Sequence, residues 1–333
     1  MIMAKRATIS DIAKKVGIST TTVSFVLNKR NDKGISEETK ESVLKAAEEL
    51  GYRPKVKSSM VDWIRAVFLV RDITEFNFHT TFFSEVYKYL YKICNEHKIE
   101  LTVREFPYVE TSDFFLYYKA LVESGFDVFL GNDPQVIDFF SRMKHSTVLV
   151  EGGVTLENSI CVQCDDYSAG CKAAQYAYDM GHRIAGSIVP DTLCPRIDGF
   201  EKTFTRLGGE CPKEFAWSCE WNLEKIEEII IEKSAGVELP SLFYCFADNI
   251  MLPAIRGFKQ NNLKVPDDIS LIGTDNLYWG RFTVPALTTV DLNEELFAEK
   301  LIGAIKHAYS KEPCYNISVP VRLIERESVK RIS

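Results

Sequence analysis

The chain has no run of roughly 18 apolar residues, so no membrane span is expected. Its amino terminus, MIMAKRATISD, lacks the apolar core of a secretory signal, and the expected location is the cytoplasm. Nine cysteines are scattered along 333 residues, the usage of a reduced compartment. Cys161 and Cys164 are spaced C-x-x-C, but no second pair or histidine cluster follows. They read as strand residues, with neither a metal nor a cofactor expected. Gly152 and Gly153 lack the following Gly-Lys-Ser/Thr of a phosphate loop, and no nucleophile elbow occurs. No enzyme signature is left.

What the chain does carry is an uneven charge. Its net charge of −7 looks wrong for a partner of nucleic acid until it is divided. Residues 1–57 hold twelve Lys/Arg against seven Asp/Glu, a surplus of +5, which leaves −12 for the rest. A basic head can neutralise phosphates while an acidic body stays soluble and off the duplex. With 46% hydrophobic residues the chain can bury a sizeable core, and its length allows two or three domains.

The basic head contains TISDIAKKVGISTTTVSFVLN, residues 8–28. Thr8 predicts an N-cap with Asp11 three residues on, and Ile9, Ile12, Ala13 and Val16 recur at helical spacing. Gly17 predicts a left-handed stop and Ser19 a second cap. In the next helix Val23, Val26 and Leu27 turn inward, leaving Thr20, Thr21, Ser24 and Phe25 to point out. A third helix follows, capped by Ser36, with Val43, Leu44, Ala47 and Leu50 as its stripe. Gly51 and Pro54 end it. Helix, glycine turn and helix make the helix-turn-helix pattern, whose second helix lies in the major groove.

This stretch, followed by ISEETKESVLKAAEELGYRP, resembles the headpiece of the lactose/purine repressor (LacI/GalR-type) family of bacterial transcription regulators. The resemblance continues in CDDYSAGCKAAQYAYDMGHRIAGSI, RIDGF, VPDDISLIGTD, VPALTTVD and RLIERES. It implies a headpiece over 1–57, a hinge or linker over 58–64 and an effector-binding body over 65–333. It also implies that the body resembles periplasmic sugar-binding proteins, with two lobes, three crossovers and a ligand in the cleft. We place the crossovers near 161–165, 290–293 and 319–323. The first lobe is then about 65–162 plus 292–320, and the second about 163–291 plus 321–333. In the family a leucine of the hinge wedges into the minor groove. Val61 stands at that place, and Ser58 and Ser59 weaken helix propensity, so hinge helix and plain linker are both open.

The body's own pattern agrees with that architecture. Apolar strands over 66–70, 126–131, 146–151, 184–189, 242–247 and 269–275 alternate with helices over 82–93, 134–143, 168–181, 196–207 and 249–261. Such alternation predicts doubly wound parallel sheets, and its length requires two. Ligands of such sheets sit at the carboxyl ends of strands. The expected effector residues from strand ends are therefore Asp72, Thr74, Glu151, Asp248 and Asp275, and the resemblance adds Arg196, just before its Gly-Phe landmark, and Trp221, where the family often presents an aromatic. The resemblance singles out Arg196 and Asp275. Carboxylates and a guanidinium would bind vicinal hydroxyls, and an indole would cover a sugar's apolar face. Ordinary roles stand beside these: Asp248 as an N-cap, Asp165 and Asp166 as caps of the helix near Ser168, Asp72 as a turn residue and Trp221 as packing. Ala247 and Leu292 replace polar residues of the family, which points away from a simple hexose.

On the DNA side, Thr20 and Thr21 begin the second helix, where base edges are reached, and Thr22 and Ser24 suit phosphates. Phe25 replaces an arginine of the family and could cover a thymine methyl or simply pack against Leu27 or the loop after it. Thr8, Asn28, Tyr52, Lys55 and Val61 complete the expected set. One headpiece binds weakly and two joined through their bodies bind tightly. We therefore expect a homodimer on a pseudo-palindromic operator, and with no heptad tail after Arg326, not a four-chain assembly. The expected function is a ligand-controlled DNA-binding regulator acting as a repressor. The alternative is a regulator whose cleft no longer takes a ligand. A transport component or cleft enzyme is opposed by the basic head.

Overall fold

The computed structural model describes residues 8–27, 35–50, 63–70, 82–107, 109, 111–190, 194–219 and 222–332. The chain forms two compact units, Met1–Asp62 and Trp63–Ser333. In the first, helices α1 (Ile9–Val16), α2 (Thr20–Leu27) and α3 (Glu37–Glu49) enclose a small core. Thr8 and Asp11 form a reciprocal capping box. The Asp11 amide donates to Thr8 Oγ1 at 3.3 Å, and the Thr8 amide donates to Asp11 Oδ2 at 2.8 Å. Gly17 ends α1 at φ 77°, a conformation that costs glycine nothing. Ser19 and Ser36 accept the amides of Thr22 and Thr39 at 3.0 and 3.3 Å and so cap α2 and α3. The core is Ile12, Ala13, Val23, Val26, Val43, Ala46 and Ala47. The stripe of α3 differs from expectation at one place: Leu44 is 55% exposed. Positions 43, 46, 47 and 50 share a face, and Leu44 sits about 100° round from Val43.

The second unit carries two six-stranded sheets. The first has the order β11-β5-β4-β3-β1-β2, built from β1 (Ile64–Val70), β2 (Ile99–Glu105), β3 (Val128–Gly131), β4 (Ser146–Val150), β5 (Ile160–Cys164) and β11 (Asn316–Val319). The second has the order β12-β10-β9-β8-β6-β7. Its strands are β6 (Ala185–Pro190), β7 (Ala216–Cys219), β8 (Leu242–Cys245), β9 (Ser270–Thr274), β10 (Thr289–Asp291) and β12 (Arg322–Ile324). All neighbours are parallel except β10 and β12. Parallel strands need crossover helices. These are α4 (Phe82–Cys94), α5 (Phe114–Glu123), α6 (Pro134–Arg142), α7 (Asp166–Asp179), α8 (Pro195–Arg206), α9 (Leu223–Ser234), α10 (Asp248–Gln260) and α11 (Glu294–Ser310). The chain passes between the sheets three times: at Asp165, at Leu292–Asn293 and between Val319 and Arg322. Two doubly wound parallel-sheet lobes therefore carry the body, as the sequence predicts.

Several elements go beyond the sequence expectation. β2 with α5, β7 with α9, and α11 were not assigned from the pattern. β2 reads IELTVRE, with charges that hide a strand, and α5 reads FFLYYKALVE, apolar nearly all round. Cys161 and Cys164 lie on β5 as expected but belong to different cores, because residues three apart on a strand face opposite ways. Among the described residues every cysteine is free, no group of three or more metal-ligating side chains occurs, and no helix is long and apolar enough to cross a membrane.

The segment Gly-His-Arg, 181–183, locks the second lobe to the chain's last residues. Gly181 has φ 98°, and a Cβ there would lie 2.0 Å from the carbonyl oxygen of Ile332. His182 is fully buried between the Ser241 hydroxyl at 2.8 Å and the Lys330 carbonyl at 3.1 Å. Arg183 lays its guanidinium 3.7 Å from the centre of the Tyr178 ring.

Candidate functional site

Two glycines build the centre of the body's site. A Cβ on Gly170 of α7 would lie 1.8 Å from the Arg196 carbonyl oxygen, and one on Gly199 of α8 would lie 2.2 Å from the Tyr167 carbonyl oxygen. Only glycine at both positions lets the two backbones touch. The close crossing sets the first turn of α8 against the first turn of α7, and so Arg196 against Asp166. Arg196 Nε and Nη2 donate to Asp166 Oδ1 at 3.0 and 2.7 Å. Nη1 donates to the Phe246 carbonyl at 2.8 Å and stands 3.7 Å from Asp275 Oδ1. The guanidinium also covers the Phe246 ring at 4.2 Å. Arg196 is only 6% exposed and Asp275 8%.

Asp275 follows β9 in a left-handed conformation, φ 109°, which turns its carboxyl back toward α8. Burial lifts that carboxyl to about 7, with Arg196 opposing and Asp166 adding. Glu151 follows β4 of the other lobe at φ 53°, and its carboxylate accepts the Cys164 amide. Burial raises Glu151 to about 7, and the Asp166 carboxylate pushes the same way. Glu151, Asp166, Arg196 and Asp275 thus form one cluster drawn from both lobes.

Asp248 departs from both of its expected roles. The N-cap of α10 is Ala247, whose side chain cannot cap, and Asp248 is the first helical residue. Its carboxyl is wholly buried; Oδ2 accepts the Leu277 amide at 2.9 Å and Oδ1 the Thr289 hydroxyl at 2.6 Å. Burial, with Asp275 adding, holds it well above the usual carboxylate range. Asp248 therefore ties the loop after β9 to β10 and offers no exposed oxygen to a ligand. Leu292 is likewise buried in the main core, so no polar contact comes from that position.

Sequence reasoning missed two members. Asp165 does cap α7, accepting the Ser168 amide at 3.0 Å, but Asp166 does not share that duty and instead takes Arg196. The signal was there: one helix needs one N-cap, so the second of two consecutive aspartates is spare. Glu294, the first residue of α11, is the other. Burial lifts it to about 8, and Asp291, Asp275 and Glu85 add to the rise. Asp72, Thr74 and Trp221 lie outside the described residues.

In the first unit, Thr20 and Thr21 are exposed at the start of α2, and Thr22, Ser24 and Phe25 are half-buried along it. The Thr22 hydroxyl is 2.8 Å from Ser19 Oγ, inside the cap. Thr8 is exposed, with its hydroxyl donating to Asp11 at 2.6 Å. Asn28, Tyr52, Lys55 and Val61, and with them the linker, lie outside the described residues.

Residues 8–55 match the family described as bacterial regulatory proteins, lacI family, and residues 174–329 match the periplasmic binding protein-like domain. The chain is 27% identical over 344 residues to the HTH-type transcriptional repressor PurR of Histophilus somni (strain 2336), covering 98% of this chain and 100% of that one. It is 27% identical over 336 residues to the PurR repressor of Escherichia coli O139:H28, covering 97% of each. Among solved structures, the lac repressor dimer bound to operator and the anti-inducer ONPF superposes with a TM-score of 0.71 at 17% identity, covering 98% of this chain and 100% of that one. A complex of the transcriptional regulator CelR with cellobiose gives 0.69 at 18%, covering 97% and 100%.

Proposed function

The chain belongs to the lacI family of bacterial regulatory proteins, and on that premise we propose that it is a cytoplasmic, sequence-specific DNA-binding repressor whose operator affinity is set by a small molecule bound between the two lobes of its body. The observation that carries this reading is the pairing, in one chain, of a capped helix-turn-helix with a buried Arg196–carboxylate cluster at the lobe junction. Thr20 and Thr21 read base edges from the amino-terminal turn of α2, where hydroxyls and methyls reach the major groove. Ser24, Asn28, Tyr52 and Lys55 hold the phosphate backbone, and Val61 marks the linker as a minor-groove wedge.

The ligand is a sugar or sugar derivative, in keeping with relatives described as bound to cellobiose and to ribose. Arg196, Asp275, Asp166 and Glu151 are its polar partners, with Asp72, Thr74 and Trp221 contributed by the segments after β1 and β7. Binding favours one arrangement of the lobes, and control of operator affinity needs only that the two arrangements bind ligand unequally. The protein works as a homodimer on a pseudo-palindrome. Tyr278 and Phe282, 60% and 66% exposed, pack edge to face with ring centres 5.2 Å apart and offer apolar surface to a second copy. No catalytic role is assigned, since the relatives are regulators.

Genomic footprinting of the purified chain tests the reading. Discrete protected pseudo-palindromes are expected, and the genes beside them will point to the ligand's chemistry. Protection without sequence preference would contradict it.

A further inference from the structure

We propose that α2 reads its operator through thymine methyl groups, met by the ring of Phe25 and the methyl of Thr21. The inference rests on the reading of the chain as a DNA-binding regulator and adds the chemistry by which its recognition helix tells bases apart.

It starts from what α2 does not hold. Thr20–Leu27 reads TTTVSFVL, with no Arg, Lys, Asn, Gln, Asp or Glu. Those are the side chains that match a base edge: Arg and Lys pair with guanine, Asn and Gln with adenine, Asp and Glu with cytosine. What α2 brings instead is hydroxyls, methyls and one phenyl ring.

The two faces of the helix divide that set. Val23 and Val26 enter the headpiece core, and Leu27 packs on it. At about 100° per residue, Thr21 and Phe25 both lie about 160° or more from Val23, on the far side of the helix. They are four residues apart and so are neighbours one turn from each other. Thr21 is exposed and Phe25 half-buried. The Thr22 hydroxyl, 2.8 Å from Ser19 Oγ, belongs to the cap.

Hydroxyls separate base pairs poorly in the major groove. As a donor, a hydroxyl finds N7 on adenine and on guanine alike. As an acceptor, it takes N6 of adenine or N4 of cytosine. The C5 methyl is different, because thymine alone of the four bases carries it, and it projects where an apolar surface can cover it. A phenyl ring laid on a polar base edge would strip water from donors and acceptors and give nothing back. Laid on a thymine methyl it costs no hydrogen bond. Thr21 extends the same apolar face by one methyl and adds a hydroxyl beside it.

The test begins with selection from a random duplex library by the full-length chain. The enriched half-site is then resynthesised with single groups changed. Deoxyuridine in place of each thymidine deletes the methyl and leaves the hydrogen-bonding groups. 5-Methylcytosine keeps the methyl and changes those groups. Binding of wild type, Phe25→Ala and Thr21→Ser is followed by fluorescence anisotropy. At one or more thymines, uracil is expected to weaken wild type about fourfold per methyl, and about 15-fold when both half-sites are changed. 5-Methylcytosine should bind better there than cytosine. F25A is expected to bind the thymine and uracil duplexes alike. T21S changes an exposed residue and keeps its hydroxyl, so it serves if F25A does not fold, and it is expected to narrow the same difference. Equal binding of thymine and uracil at every position overturns the proposal and leaves the regulator standing. A uracil penalty that persists in full in both variants does the same, since another element then reads the methyl. Enrichment of no sequence at all overturns the regulator and the proposal together.

Discussion

The headpiece and the cleft are held together in opposite ways. In the headpiece the defining polar bonds join residues three apart: Thr8 with Asp11, Ser19 with Thr22 and Ser36 with Thr39. In the cleft they span the chain, with Arg196 reaching Asp166 thirty residues away and Phe246 fifty away. Local caps are exposed and each contributes about 1 kcal/mol. The cleft's ions are buried and share partners, so removing one leaves others without a match. The first kind of structure tolerates single changes; the second does not.

Substitutions sharpen this contrast. Arg196→Ala removes the cation that Asp166 and Asp275 share among the described residues. It is expected to cost about 3–5 kcal/mol in chemical denaturation and to abolish the ligand response while operator binding persists; a normal response removes Arg196 from the site. Gly170→Ala drives a Cβ into the Arg196 carbonyl and is expected to cost about 3 kcal/mol or more. An unchanged denaturation midpoint would refute the close crossing of α7 and α8.

A pH titration probes the same buried acids. Glu151, Asp275 and Glu294 hold protons in the folded state up to about 7, 7 and 8, whereas the unfolded chain gives them up near 4.5, 3.8 and 4.5. Between those values the folded state binds more protons, so stability falls as pH rises. His182 acts the other way. Burial lowers it to about 4 from 6.5, so its contribution is complete above 6.5 and is lost as pH falls toward 4. The net expectation without ligand is a loss of about 2 kcal/mol as pH rises through 7 to 8, and E294Q should flatten the curve. A curve already flat in wild type contradicts the burial of these groups. At the small end, Thr8→Ala breaks one capping box and should cost about 1 kcal/mol of headpiece stability. A loss as large as that of R196A would erase the contrast between the two regions.

The contrast also explains what the sequence discloses. Thr8, Gly17, Ser19 and Ser36 announce their roles because cap and turn chemistry is decided within a few residues. Arg196 and Asp275 could be nominated from a resemblance and from their place after strands, but the partner that holds Arg196 could not. Asp166 beside Asp165 looks like more of the same cap, and only the glycine contact of α7 with α8 brings it to the guanidinium. Asp248 misleads for a related reason: an aspartate after a strand suits a ligand or a cap, and its burial against Thr289 depends on a residue 41 positions away. Glu294 is hidden by its position, since an acid at a helix start needs no explanation until its burial is seen. Of the secondary structure, the apolar strands of the sheet centres were legible, and the charged edge strand β2 and the uniformly apolar α5 were not.

The most direct test is selection from a random duplex library by the full-length chain at modest salt, run beside Thr21→Ala. The account predicts that wild type enriches a pseudo-palindrome and that T21A relaxes preference at one symmetric pair of positions with ligand binding intact. Enrichment of no sequence by wild type, or an identical motif from T21A, would contradict the assignment of α2 as the element that reads DNA.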